Sequence, residues 1–145
     1  MQQLDSPAGF WIRLIALLVD GIVLMITVGI MTSIVYGQFF MERETIFEFI
    51  EPIYFVILPI LWTGYTLGKR AMGIRIAKID GTKLGLGAML LREIVGGLIY
   101  VLTFGIGVIV SIFMVVFRED KRSIHDLIAK TYVTYNEPYE LNQYN

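Results

Sequence analysis

The residues able to do chemistry in this chain are few, and several stand where charge is expensive. Arg13 and Asp20 lie inside the apolar run GFWIRLIALLVDGIVLMITVGI, Arg92 and Glu93 interrupt a second apolar stretch, and Asp126 follows the only histidine, His125. A lone charge at mid-bilayer costs about 2.5–3.5 kcal/mol on insertion scales, so Asp20 must be compensated. Burial raises a carboxyl pKa unless a cation sits beside it, which leaves two chemistries open. Asp20 can bind and release H⁺ or Na⁺, or it can pair with a guanidinium and lock the helices. Arg92 is the expected partner, since a helix dipping into the membrane would carry it to about that depth. Arg13, Asp20 and Thr27 recur every seven residues, nearly two helical turns, and form one polar stripe. Such a stripe should face protein and not lipid. Arg13 and Asp20 are separated by about 10 Å of helical rise, so each needs a partner elsewhere. For Arg13, at the rim, that partner is Asp126, or else the side chain snorkels to the interface.

Other chemistry is closed off. The chain has no cysteine, which removes disulfides, thiol catalysis and cysteine-based metal sites. A metal phosphohydrolase needs several more histidines than His125-Asp126 offers, so no metal or cofactor is expected. His125 is then an interfacial histidine or a proton sensor near neutrality. Residues 64–70, GYTLGKR, have only three residues between the glycines and are not a Walker loop. Lys69, Arg70 and Arg75 suit anionic lipid headgroups better, at about 1 kcal/mol per charge.

These residues must be positioned by membrane helices. Of 145 residues 56% are hydrophobic and 17% charged, and mean hydropathy is +0.67; the balance fits a polytopic membrane domain over residues 8–135. A net charge of −1 gives no case for nucleic-acid binding. Residues 14–35 are long enough to cross about 30 Å of hydrocarbon. The N-terminus has no basic n-region or A-x-A site, so this helix is expected to be retained. Residues 36–45 form an acidic loop. Residues 46–67 form a second span, kinked at Pro59 and ending in a weak GxxxG at Gly64 and Gly68.

Six of the twelve basic residues (Lys69, Arg70, Arg75, Lys78, Lys83 and Arg92) come next, which places this segment in the cytoplasm. Asp80-Gly81 between two β-like runs predicts a small two-stranded hairpin at the membrane surface. Helical residues 86–102 and 108–117 flank a glycine-bearing break, and both outer ends are basic. They are expected to fold back as a short re-entrant hairpin, or as two short spans. Ser123 caps a short helix with Asp126 in the capping-box position, residues 131–135 look β-like, and residues 136–145 form a disordered tail. The expected architecture is an all-α membrane protein of two transmembrane helices, a re-entrant helical hairpin and a cytoplasmic β-hairpin. Both termini would be cytoplasmic, in the plasma (inner) membrane.

The stretches AGFWIRLIALLVDG, TLGKRAMGIRIAKIDGTKLGLGAMLLREI and FREDKRSIHDLIAKTYV resemble the RDD family of small bacterial membrane proteins over residues 8–133. The resemblance places the family's Arg and first Asp on Arg13 and Asp20, and its second Asp on Asp126. It implies transport of an ion or small solute, sodium/proton exchange included. Two functions therefore stand open. One is a transporter with Asp20 as coupling carboxylate, which would need a homodimer because the chain has no internal repeat. The other is an accessory protein that binds a membrane partner or anionic lipids through its basic cytoplasmic face.

Overall fold

The computed structural model describes residues 6–40 and 49–135. Its longest element is α1 (Phe10–Tyr36), 27 residues of nearly unbroken Leu, Ile, Val and Met. At 1.5 Å per residue it spans about 40 Å, more than the hydrocarbon core of a bilayer. Ile15, Leu18, Ile22, Met25 and Ile26 are exposed on it, while Ala16, Asp20 and Leu24 form its buried line at four-residue spacing.

The helix expected as a second span is too short, among the described residues, to cross a membrane by itself. α2 (Ile50–Leu61) has 12 residues, and residues 46–48 lie outside the described part. Instead of kinking at Pro59, the helix stops two residues later. The chain turns through Trp62–Tyr65, and the Gly64 N–H bonds the Pro59 carbonyl at 2.6 Å. Gly64 sits at φ +100°, and a Cβ there would strike the Ile76 carbonyl, so only glycine fits. Gly64 therefore belongs to a turn, and the GxxxG pattern is not one helix face. α3 (Leu67–Ala71) follows, with Thr66 as its N-cap.

The sheet also departs from expectation. β1 (Arg75–Lys78) pairs with β2 (Thr131–Thr134), antiparallel, in the register Arg75↔Thr134 and Lys78↔Thr131. Asp80-Gly81 does make a tight turn, with Gly81 N–H on the Lys78 carbonyl at 3.1 Å. The chain beyond it enters α4 (Leu86–Leu90) rather than returning along β1. A two-stranded ribbon survives only where it covers an apolar face. β2 supplies that face: Ile76 and Val133 pack with Ala8, Ile74 and Met89 in the core. Both edges of the ribbon are covered. Ala8 N–H bonds the Val133 carbonyl at 2.8 Å, and Ile76 N–H bonds the Gly64 carbonyl at 2.8 Å. Residues 7 and 134 are thus paired, which puts both ends of the described chain at the first turn of α1.

After α4 the helix passes through a π-helical turn (Leu91–Val95) into α5 (Gly96–Leu102). It then bends by 120° into α6 (Ile106–Phe117). Phe104 at φ 50° and Gly105 at φ 83° make the corner, inside the break expected from the glycines. By length and composition, α1 can cross a membrane, and the bent pair makes at most one more span. α7 (Ile124–Ile128) packs against the π turn.

Candidate functional site

Two buried carboxylates, Asp20 and Asp126, organise the interior, and they occupy separate sites. Asp20 is 0% exposed. Its Oδ1 accepts from Tyr54 Oη at 2.6 Å and the Gly68 N–H at 2.7 Å, and its Oδ2 accepts from Thr66 Oγ1 at 2.6 Å. Tyr54 comes from α2; Thr66 and Gly68 open α3. Asp20 thereby satisfies an N–H that the first turn of α3 would otherwise leave unpaired. Contact is so close that a Cβ on Gly68 would meet the Ala16 carbonyl and come within 2.8 Å of the Asp20 carboxyl carbon. Gly68→Ala is therefore expected to lower stability by about 1–3 kcal/mol through overpacking against backbone. Thermal unfolding in detergent measures this, and an unchanged midpoint would contradict the packing.

Arg92 is not the partner of Asp20, as the sequence had suggested. It is 7% exposed and pairs through Nη1 with Asp126 Oδ1, while the same nitrogen lies 3.1 Å from Thr131 Oγ1 and Nε lies 3.5 Å from Glu93. The physical reason is twofold. Asp20 already has donors from α2 and α3, and the π turn that carries Arg92 packs on α7. π turns inside longer helices often sit at functional positions.

Asp126 is 0% exposed. Besides Arg92, it takes Arg13 Nη1 on Oδ2 at 2.6 Å. Ser123 completes the capping box, its N–H and Oγ lying 3.2 and 2.9 Å from Oδ2. Burial alone would push this carboxyl up, but the Arg92 and Arg13 guanidinium groups outweigh it and hold the group far below the usual carboxylate range. Arg13 also donates to the Ala8 carbonyl at 3.0 Å and to the Lys121 carbonyl at 2.5 Å. One side chain so joins α1, the N-terminal segment and the loop before α7. Thr27, third in the stripe, only bonds its own helix, at the Val23 carbonyl (2.8 Å).

His125 is held at both ring nitrogens. Tyr100 Oη is 2.6 Å from Nδ1 and Ser123 Oγ is 2.9 Å from Nε2. Tyr100 Oη also contacts Ser111 Oγ at 2.8 Å, and Ser111 Oγ accepts the Ile124 N–H at 3.2 Å. Since the Ser123 hydroxyl donates to Asp126, it must accept from Nε2–H, which assigns the neutral Nε2–H tautomer. Burial, with Arg92 adding to it, pushes His125 down to about 3 from 6.5. The unfolded chain binds this proton below about pH 6.5 and the folded one only near pH 3. Stability is therefore expected to fall on acidification through that window, by up to about 1.4 kcal/mol per pH unit. Denaturation midpoints from pH 7 to pH 4 test it: the slope should be smaller in His125→Gln, and equal slopes would refute the assignment.

The three basic residues expected at headgroups differ in their surroundings. Lys69 Nζ lies 5.8 Å from the centre of the Phe55 ring, and burial lowers its pKa to about 8 from 10.5. Arg70 stacks over Tyr65 at 4.7 Å, and Arg75 donates to the Thr63 carbonyl at 3.3 Å. Among the described residues, no group of three or more His, Asp or Glu could hold a metal ion. Sequence reasoning missed Tyr54, Thr66, Tyr100 and Ser111. Their only signal was a polar atom in an apolar run, or, for Thr66, a good capping residue before LGKR.

A model of the RDD family matches residues 7–130. The chain is 46% identical over 136 residues to an uncharacterized protein of Bacillus subtilis, YckC, covering 93% of this chain and 89% of that one. It is 25% identical to the uncharacterized YxaI of the same organism, covering 91% and 99%. Against YteJ, described as an uncharacterized membrane protein of Bacillus subtilis, identity is 28% over 91% of this chain and 83% of that one. No solved structure matches. With Arg13, Asp20 and Asp126 all inside the matched region, the chain belongs to the RDD family of membrane proteins.

Proposed function

We propose that this protein is a non-enzymatic membrane platform. On this reading the basic layer built from α3, the sheet and α7 is clamped onto α1 and presented to a membrane protein partner or to anionic lipids. One observation carries the reading: each buried carboxylate takes donors from separate chain segments. Asp20 fastens α2 and α3 to α1, and Asp126 fastens the π turn and α7 to it. Exposed Arg70, Lys83 and Lys130 lie on the segments so fastened and suit an anionic leaflet. The layer faces the cytoplasm by the positive-inside rule, with both termini on that side and α4–α6 dipping in and returning. Single cysteines at Arg70 and Lys130 should label only from the cytoplasmic side of sealed membranes; external labelling of Lys130→Cys would overturn the topology.

A second reading has its own support. All three donors to Asp20 are uncharged, an environment that leaves room for a bound H⁺ or Na⁺ to complete the charge balance. Ion exchange through a homodimer would follow. Liposomes containing the purified protein separate the two. Flux of Na⁺ or H⁺ above that of empty liposomes, abolished by Asp20→Asn, favours exchange. Flux equal to empty liposomes, with a specific partner retained on affinity capture from solubilised membranes, favours the platform.

A further inference from the structure

Beside α2 is a groove of about 550 Å³ that lies apart from the Asp20 site and meets the Asp126 site only through Glu93, whose carboxylate stands 3.5 Å from Arg92 Nε and keeps its outer oxygen for a second cation. Its walls include Ile53 and Ile57 on α2 and Leu90 and Ile94 opposite, and two acidic residues, Glu51 and Glu93, also line it. Ile53 and Ile94 are 58% and 60% exposed, so the groove is open on the flank of helices that face lipid. Lys69 borders it from α3. Its ammonium stands 5.8 Å from the centre of the Phe55 ring, and Phe55 and Glu93, which it also feels electrostatically, are groove residues. No described carboxylate forms an ion pair with Lys69.

We propose that this groove is a lipid site selective for phospholipids with a primary-amine headgroup. One acyl chain lies along the apolar walls, the ammonium is held by Glu51 and Glu93, and the phosphate faces Lys69. The charges argue for this occupant. An apolar groove alone takes any acyl chain, but two carboxylates repel a headgroup that carries only negative charge. A primary ammonium also offers three hydrogen-bond donors; a trimethylated one offers none. Lys69, which pairs with no carboxylate among the described residues, supplies the cation that the phosphate of a zwitterionic lipid requires. The site stands whether or not the protein moves an ion.

The test reconstitutes the full chain in nanodiscs holding equal parts phosphatidylethanolamine, phosphatidylcholine and phosphatidylglycerol. Retained lipid is then read by native mass spectrometry. Phosphatidylethanolamine should be retained about tenfold over each of the others, the factor supplied by one charge-assisted hydrogen bond. The preference should vanish in the Glu51→Gln/Glu93→Gln double variant. Equal retention of the three lipids by the wild type would overturn the proposal, as would a folded double variant that keeps the preference. If the double variant does not fold, the wild-type comparison decides by itself: phosphatidylcholine retained as well as phosphatidylethanolamine refutes it.

Discussion

Asp126→Ala is expected to leave little folded protein in the membrane. Removing one partner of a buried ion pair costs about 3–5 kcal/mol, and here a single carboxylate serves two guanidinium groups, Arg13 and Arg92. The same change removes the capping-box acceptor of α7, worth roughly another 1 kcal/mol. Against a typical stability of about 5–15 kcal/mol, that loss approaches the whole. Membrane-fraction yield and the unfolding midpoint in detergent measure it. Asp126→Asn keeps the shape and one acceptor oxygen, so it should fall between alanine and wild type. A wild-type midpoint in the alanine variant would mean that the three-residue charge cluster does not hold the fold.

Asp20→Ala should have the next largest effect, for a different reason. It strands no charge. Instead it leaves the Tyr54 and Thr66 hydroxyls and the Gly68 N–H without their acceptor, at about 1–3 kcal/mol for each group that stays buried. Asp20→Asn is the informative companion. Its carboxamide oxygen can accept from Tyr54 and Gly68, and its amide nitrogen can donate to Thr66. Only the Thr66 hydroxyl proton then loses its acceptor, so the asparagine variant should fold, with a midpoint between those of the alanine variant and the wild type. That separation makes Asp20→Asn the right variant for the flux measurement: a lost flux would then report chemistry and not misfolding. If Asp20→Ala unfolds no more easily than the wild type, α3 is not fastened to α1 through this carboxylate.

The stripe Arg13, Asp20 and Thr27 illustrates how far local pattern reaches. Seven-residue spacing correctly put the three on one side of α1, because helical periodicity is a property of the backbone. It could not name their partners, and these turned out to be three different things: Asp126, the entry to α3, and the Val23 carbonyl. The Arg92 expectation failed for the same reason. The packing of the π turn on α7 decided which carboxylate lay within reach of Arg92. Asp80-Gly81 failed more instructively. The turn it forms is real, yet the strand that pairs with β1 is β2, more than fifty positions further along the chain, since only β2 lets Ile76 and Val133 close a common core.

What residue order alone determined were features governed by neighbours within a few positions. They include the long apolar helix, the corner near Gly105 and the Ser123–Asp126 capping box. Tertiary structure alone decided the division of the two carboxylates into separate sites, the pairing of β1 with β2, and the neutral tautomer of His125. Those outcomes depend on summed burial over distant segments, where many pairings are compatible with local preference and only one fills the core while satisfying the buried polar groups.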